Sequence, residues 1–107
     1  MIARTWRGAV RAEDAEAYAA YIQKTGLVGY ASTPGNQGAW LLYRVEGDRA
    51  EIMTMSLWES MDAIHGFAGE DVERAVFYPE DDRWLVDRDV VAHHWVVKGV
   101  PGSGSGA

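Results

Sequence analysis

AWLLYRVEGDRAEIMTMSLW, residues Ala39 to Trp58, is the stretch that decides the fold. Two runs within it, Ala39 to Val45 and Ile52 to Trp58, read as strands, and Glu46-Gly47-Asp48-Arg49 between them has the composition of a hairpin connection. Successive side chains of a strand point to opposite faces. Here Leu41 and Tyr43 stand against Trp40 and Leu42, and Met53, Met55 and Leu57 against Ile52 and Trp58. A hairpin with one solvated face would alternate apolar with polar residues. This one is apolar on both faces, so both need cover.

Working outward towards the N-terminus, Ile2 to Arg7 is a strand with Ile2, Arg4 and Trp6 on one face and Ala3, Thr5 and Arg7 on the other, and Gly8 ends it. Ala12 to Thr25 reads as a helix. Glu13, Asp14 and Glu16 sit in its first turns, where the helix dipole favours negative charge. Ala15, Tyr18, Ala19 and Ile22 form one apolar stripe, and Gly26 is a natural stop. Leu27 to Gly38 is irregular, with a turn at Pro34-Gly35-Asn36.

Towards the C-terminus, Ser60 can cap a second helix from Met61, and Gly69 breaks it. Asp71 to Phe77 adds a short extra turn, and Tyr78 to Leu85 reads as an ordered loop. Asp89 to Val97 is a final strand, with Val91, Trp95 and Val97 on one face and Val90, Ala92 and Val96 on the other.

The order β-α-β-β-α-β predicts a ferredoxin-like α+β fold over residues 1–98, a four-stranded antiparallel sheet with two helices on one face. Helices cover one side only. The second apolar face predicts a homodimer packed sheet against sheet, a dimeric α/β barrel.

The 107 residues are 48% hydrophobic and 24% charged, which is ordinary for a globular chain, with a formal net charge of −6. Nucleic acid is excluded as a partner because no cluster of Lys and Arg is present to displace counterions. An anionic membrane surface is disfavoured on the same ground. The absence of cysteine excludes disulfides, thiolate metal sites and Cys nucleophiles. No signal peptide and no apolar run of the roughly 20 residues that span a bilayer is readable, so a cytoplasmic location is expected. The tail, Gly99 to Ala107, reads as a flexible Gly/Ser linker.

Several pieces resemble the antibiotic biosynthesis monooxygenase family of dimeric α/β barrels. They are Ile2-Ala3-Arg4 with Trp6, Thr33-Pro34-Gly35-Asn36 with Gly38, Ser56-Leu57-Trp58-Glu59-Ser60, Phe67-Ala68-Gly69, Tyr78-Pro79-Glu80-Asp81, and Val91 with His93. The resemblance runs from Met1 to about Val97 and implies a reaction cavity between the helices and the sheet of each subunit. The quinone-forming members carry a Trp at the start of the second helix, which aligns with Trp58. Thr54 aligns with their Asn, Ile64 with their Tyr and Tyr78 with their Arg. The haem-degrading members carry an Asn, a Trp and an axial His where this chain has Trp6, Phe67 and Phe77, which implies no haem here.

Among chemical candidates, His93 and His94 are neighbours on a strand and point to opposite faces, so they cannot chelate one metal together. His65 lies on a helix apart from them, and no metal site is expected. His93 is either a structural histidine or a pocket acid or base. Arg4, between apolar Ile2 and Trp6, either pairs with Glu80, Asp81 or another loop carboxylate or holds a substrate anion. Tyr78 can present its hydroxyl to the cavity. Glu80-Asp81-Asp82 lacks the spacing of a calcium loop and reads as solvated.

The expected function is a small-molecule enzyme. By resemblance it performs a cofactor-independent, monooxygenase-like oxidation of an aromatic or enolisable substrate, with molecular oxygen as co-substrate. His93, Tyr78 and Arg4 are the catalytic candidates, and Trp6, Thr54, Trp58, Ile64 and Phe67 the substrate-binding ones. A proton-transfer isomerase or cyclase, and a non-catalytic ligand-binding dimer, are the alternatives.

Overall fold

The computed structural model describes residues 1–99, so the tail expected to be a flexible linker lies, from residue 100 onward, outside the described residues. The first strand, β1, is Ile2–Arg11. It runs through Gly8, contrary to expectation, because the glycine makes room rather than breaking the strand. The Trp6 indole lies across it, and a Cβ at Gly8 would sit 2.6 Å from the Trp6 ring.

A 3₁₀ turn at Ala12–Asp14 leads into α1, Ala15–Lys24. Its buried residues are Ala15, Tyr18, Ala19 and Ile22, the stripe read from the sequence. Gly26 does not terminate helical structure. The chain kinks at Thr25 and Gly26 opens a second helix, α2, Gly26–Ala31. Leu27 and Tyr30, one turn apart on α2, pack into a cluster with Trp58 and Ile64, and that tertiary contact holds a segment of weak local propensity helical.

The turn Thr33 to Asn36 follows, closed by the Asn36 N–H donating to the Thr33 carbonyl at 3.2 Å, with Gly35 at φ 90°. The hairpin pairs β2, Asn36–Glu46, with β3, Arg49–Trp58. Helix α3, Met61–Ala68, is capped by the Ser60 hydroxyl accepting from the Ala63 N–H at 3.2 Å, and Gly69, at φ 84°, ends it.

The C-terminal third departs most from expectation. Part of the anticipated loop is a short helix, α4, Asp81–Trp84, followed by a strand, β4, Leu85–Arg88. The final strand shortens to β5, His93–Val96. Both strands run antiparallel along the same edge of β1, with β5 beside Ile2 to Thr5 and β4 beside Gly8 to Val10. The sheet order is therefore β2-β3-β1, with β4 and β5 sharing the fourth place. The ladder lapses between them because its backbone groups bond elsewhere. The Val90 carbonyl accepts from Ala75 at 2.9 Å, the Ala92 N–H donates to Glu73 at 2.7 Å, and the Asp89 carbonyl accepts from the Trp6 indole at 2.7 Å.

The α+β architecture with helices on one face of an antiparallel sheet is as read. Trp6 pairs with Thr54 and Arg4 with Ser56, and these side chains face the helices. The opposite face presents Trp40, Leu42 and Trp95 at 45%, 48% and 57% exposure, around half-buried Met53 and Met55. Among the described residues no helix is long and apolar enough to cross a membrane.

Candidate functional site

Strand β1 aims Arg4 beneath the helices, where it is 2% exposed. Its guanidinium donates to the backbone carbonyls of Val72 and, at 3.1 Å, Arg74, and lies 2.9 Å from His94 Nε2. The Phe67 ring centre is 5.8 Å from the guanidinium carbon. The sequence offered Glu80 or Asp81 as its partner. Instead, none of the ion pairs among the described residues includes Arg4. Burial lowers its pKa and the nearby Tyr30 works in the other direction, yet a guanidinium keeps its charge in proteins. The result is a buried cation held by carbonyl dipoles and the Phe67 ring, with no carboxylate within ion-pair distance among the described residues.

The histidine beside Arg4 is His94, which corrects the expected parity. Residues directly opposite in an antiparallel ladder share a face, and β5 sets His94 against Arg4 and His93 against Thr5. His93 consequently lies exposed on the outer face, away from the helices. Burial, and then the charge of Arg4, hold His94 below the usual histidine range, with Glu73 opposing. The neutral imidazole can accept the Arg4 N–H at Nε2.

Beside this pair is a cavity of about 30 Å³, room for about two waters at roughly 15 Å³ each. Arg4, Trp6 and Thr54 line it from the sheet, Tyr18 and Ile22 from α1, and Gly26 and Tyr30 from α2. The stretch Ala75 to Tyr78 and Asp81 close it. The Tyr30 and Thr54 hydroxyls are 3.4 Å apart. Phe77 meets Trp6 edge to face at 6.0 Å.

Tyr78 lies over two α2 glycines. A Cβ at Gly29 would come within 2.6 Å of its hydroxyl, and one at Gly26 would sit 3.8 Å from its ring. Burial raises the Tyr78 pKa. Asp81 is 3% exposed. Its Oδ1 accepts from the Tyr18 hydroxyl at 3.2 Å and its Oδ2 from the Tyr78 N–H at 2.7 Å. Burial raises the Asp81 carboxyl, and these two hydrogen bonds together with Arg88 pull against that rise.

Of the residues singled out in the sequence, Arg4, Trp6, Thr54 and Tyr78 come together here. Trp58, Ile64 and Phe67 do not line the cavity. They pack with Tyr30 in a separate cluster, where Trp58 is fully buried and donates its indole N–H to Ser56 at 2.8 Å. Tyr18, Tyr30, Asp81 and His94 were missed as site residues. In the sequence Tyr18 reads as core, Tyr30 lies in a segment that reads as irregular, and Asp81 is hidden in an acidic run. The available signal is the i, i+3 spacing of Tyr78 and Asp81, at which a carboxylate reaches back to the N–H three residues earlier, as in a capping box.

No protein-family model matches this chain, and no curated protein matches it. Solved structures do share its fold. A Bacillus cereus protein described as a candidate antibiotic biosynthesis monooxygenase aligns over 92% of this chain and 94% of its own, at 15% identity and a TM-score of 0.66. A variant of MhuD, with two manganese protoporphyrin IX molecules bound per active site, aligns over 95% and 100%, at 19% identity and a TM-score of 0.62. Rv0793 from Mycobacterium tuberculosis aligns over 94% and 97%, at 13% identity and a TM-score of 0.58. The fold expected from the resemblance is the one these proteins share.

The MhuD structure corrects the cofactor expectation. This fold accommodates metalloporphyrins, so the resemblance does not support a cofactor-free reading. The cavity just described is nevertheless a poor match for a resident porphyrin. No His, Cys or Met lines it, and of the axial-ligand types only tyrosine is present. Burial holds Tyr18 and Tyr78 as neutral phenols.

Proposed function

We propose that this chain, which shares its fold with a structure described as a candidate antibiotic biosynthesis monooxygenase, is a small-molecule enzyme performing a monooxygenase-like oxidation of an aromatic or enolisable substrate in the cavity between sheet and helices. One observation carries the reading, the buried Arg4 guanidinium that lines a cavity without a carboxylate partner. Phenols and enols become reactive towards oxygen as anions, and a fixed cation in a water-poor site stabilises that anion far better than solvent does. Trp6 and Phe77 offer ring faces to a planar substrate. Tyr78 offers a hydroxyl, and His94 steadies the guanidinium. The substrate enters by displacing Val76 and Phe77, each 36% exposed, from a stretch without regular secondary structure.

The test is oxygen uptake with a panel of polycyclic phenols and 1,3-diketones. Uptake above the buffer rate is expected with at least one of them. Tyr78→Phe should lower it by about 100-fold or more, the low end for a positioned proton-handling group, while His93→Ala retains it. A panel with no enzyme-dependent uptake sinks the reading.

We also infer a homodimer formed through the outer sheet face, where Trp40, Leu42 and Trp95 stand exposed. Light scattering should give twice the 11.8 kDa chain mass, and Leu42→Glu should halve it by placing an unpaired charge in the contact. A wild-type monomer at micromolar concentration is the outcome that removes this inference.

A further inference from the structure

Among the described residues two charged side chains are buried, Arg4 at 2% exposure and Asp81 at 3%. Both line the same cavity, and they are not paired with each other. A purely structural use of two buried opposite charges would bring them into contact, because each is costly to desolvate alone. Here both line one small cavity without touching, and the Val76–Phe77 stretch that closes it is what a ligand displaces to reach them. The acceptors of Arg4 come from the strap at Val72 and Arg74 and from His94, while the donors to Asp81 come from Tyr18 and the Tyr78 backbone.

We propose that Asp81 is the general base of this cavity, taking the proton from a hydroxyl or activated C–H of the substrate while Arg4 holds the enolate or phenolate left behind. This rests on the reading that the cavity binds an acidic phenol or enol. In the step, the substrate O–H or C–H bond breaks and a new O–H bond forms on an Asp81 carboxylate oxygen. The electron pair stays on the substrate, its charge matched by the guanidinium. No oxidant takes part in this step.

Two hydrogen bonds orient the carboxylate, yet an ionised Asp has about four acceptor sites, so lone pairs remain to take a proton. The remaining features fit a base. Burial strengthens the carboxylate as a proton acceptor, and the Tyr18 hydroxyl on α1 fixes it opposite the sheet. The charged and titratable groups around it are Tyr18 and Tyr21 from α1, Tyr78 and Asp82 from its own segment, and Arg88 from β4. None is placed to substitute for it as a carboxylate inside the cavity. Of the acidic run, Glu80 and Asp82 are exposed and Asp81 alone points inward.

The test follows hydrogen–deuterium exchange at the activated methylene of 2-tetralone by NMR, without oxygen, and oxygen uptake separately. Wild-type protein should accelerate exchange, with a rate that climbs with pH through an acid limb set by Asp81. Asp81→Asn retains an acceptor for the Tyr78 N–H and should reduce the acceleration by about 100-fold or more. Tyr18→Phe removes a donor that favours the ionised carboxylate, so its acid limb should move to higher pH. That shift reads the base directly even if Asp81→Asn folds poorly. Exchange at the buffer rate with wild type, an Asp81→Asn protein as fast as wild type, or an acid limb unmoved by Tyr18→Phe each overturns the assignment. Accelerated exchange without oxygen uptake upholds Asp81 as base and removes the oxidation reading alone.

Discussion

Arg4→Gln should both destabilise the fold and abolish turnover. The guanidinium serves the Val72 and Arg74 carbonyls and His94 at once, and a shorter neutral amide cannot reach all three. These acceptors are only part-buried, so each one left without a donor costs about 1 kcal/mol, the low end of the range, and a loss of about 2 kcal/mol is expected in urea unfolding. The rate should fall by about 100-fold or more, the scale on which removal of an anion-stabilising donor acts. Arg4→Lys keeps the charge without the planar fork. It should recover part of the rate and little of the stability, because one ammonium cannot hold two carbonyls of the strap in the same geometry. An Arg4→Gln protein with wild-type stability and rate would mean that the guanidinium neither pins the strap nor faces the substrate.

Trp58→Ala should cost about 3–5 kcal/mol of stability, the range for deleting a large buried aromatic. Trp58 is fully buried, meets Tyr30 edge to face at 6.2 Å and Phe67 at 5.9 Å, and donates to Ser56. Truncation opens a void among rings that α2 and α3 cannot both close. Trp58→Phe keeps the ring contacts but leaves the buried Ser56 hydroxyl without its donor, so it should lose about 1–3 kcal/mol, with KM unchanged, because Trp58 does not line the cavity. The resemblance had set Trp58, Ile64 and Phe67 against the substrate. A tenfold rise in KM for a stable Trp58→Phe protein would return Trp58 to that role.

Local pattern alone carried much of this molecule. The stripe of Ala15, Tyr18, Ala19 and Ile22 is buried as its spacing requires, Ser60 caps α3, and the Thr33 to Asn36 turn forms with Gly35 at positive φ. Ile2, Arg4 and Trp6 alternate to one face, and the two-faced apolar hairpin called for a sheet covered by helices on one side. Each of these is settled by neighbours within a few residues, where helix and strand periodicity act directly.

The site depends on contacts between distant segments. Which of two adjacent histidines meets Arg4 is set by the register of β5 on β1, some 90 residues apart in the chain, and a slip of one residue exchanges the faces. Gly26 begins a helix because Leu27 and Tyr30 find Trp58 and Ile64, against the local preference of glycine. Asp81 is set apart from Glu80 and Asp82 only when Tyr18 arrives from α1 to donate to it. Composition and periodicity place a side chain on a face of its own element. What that face meets is decided by packing between elements, and in this chain that packing put two unpaired buried charges around one cavity.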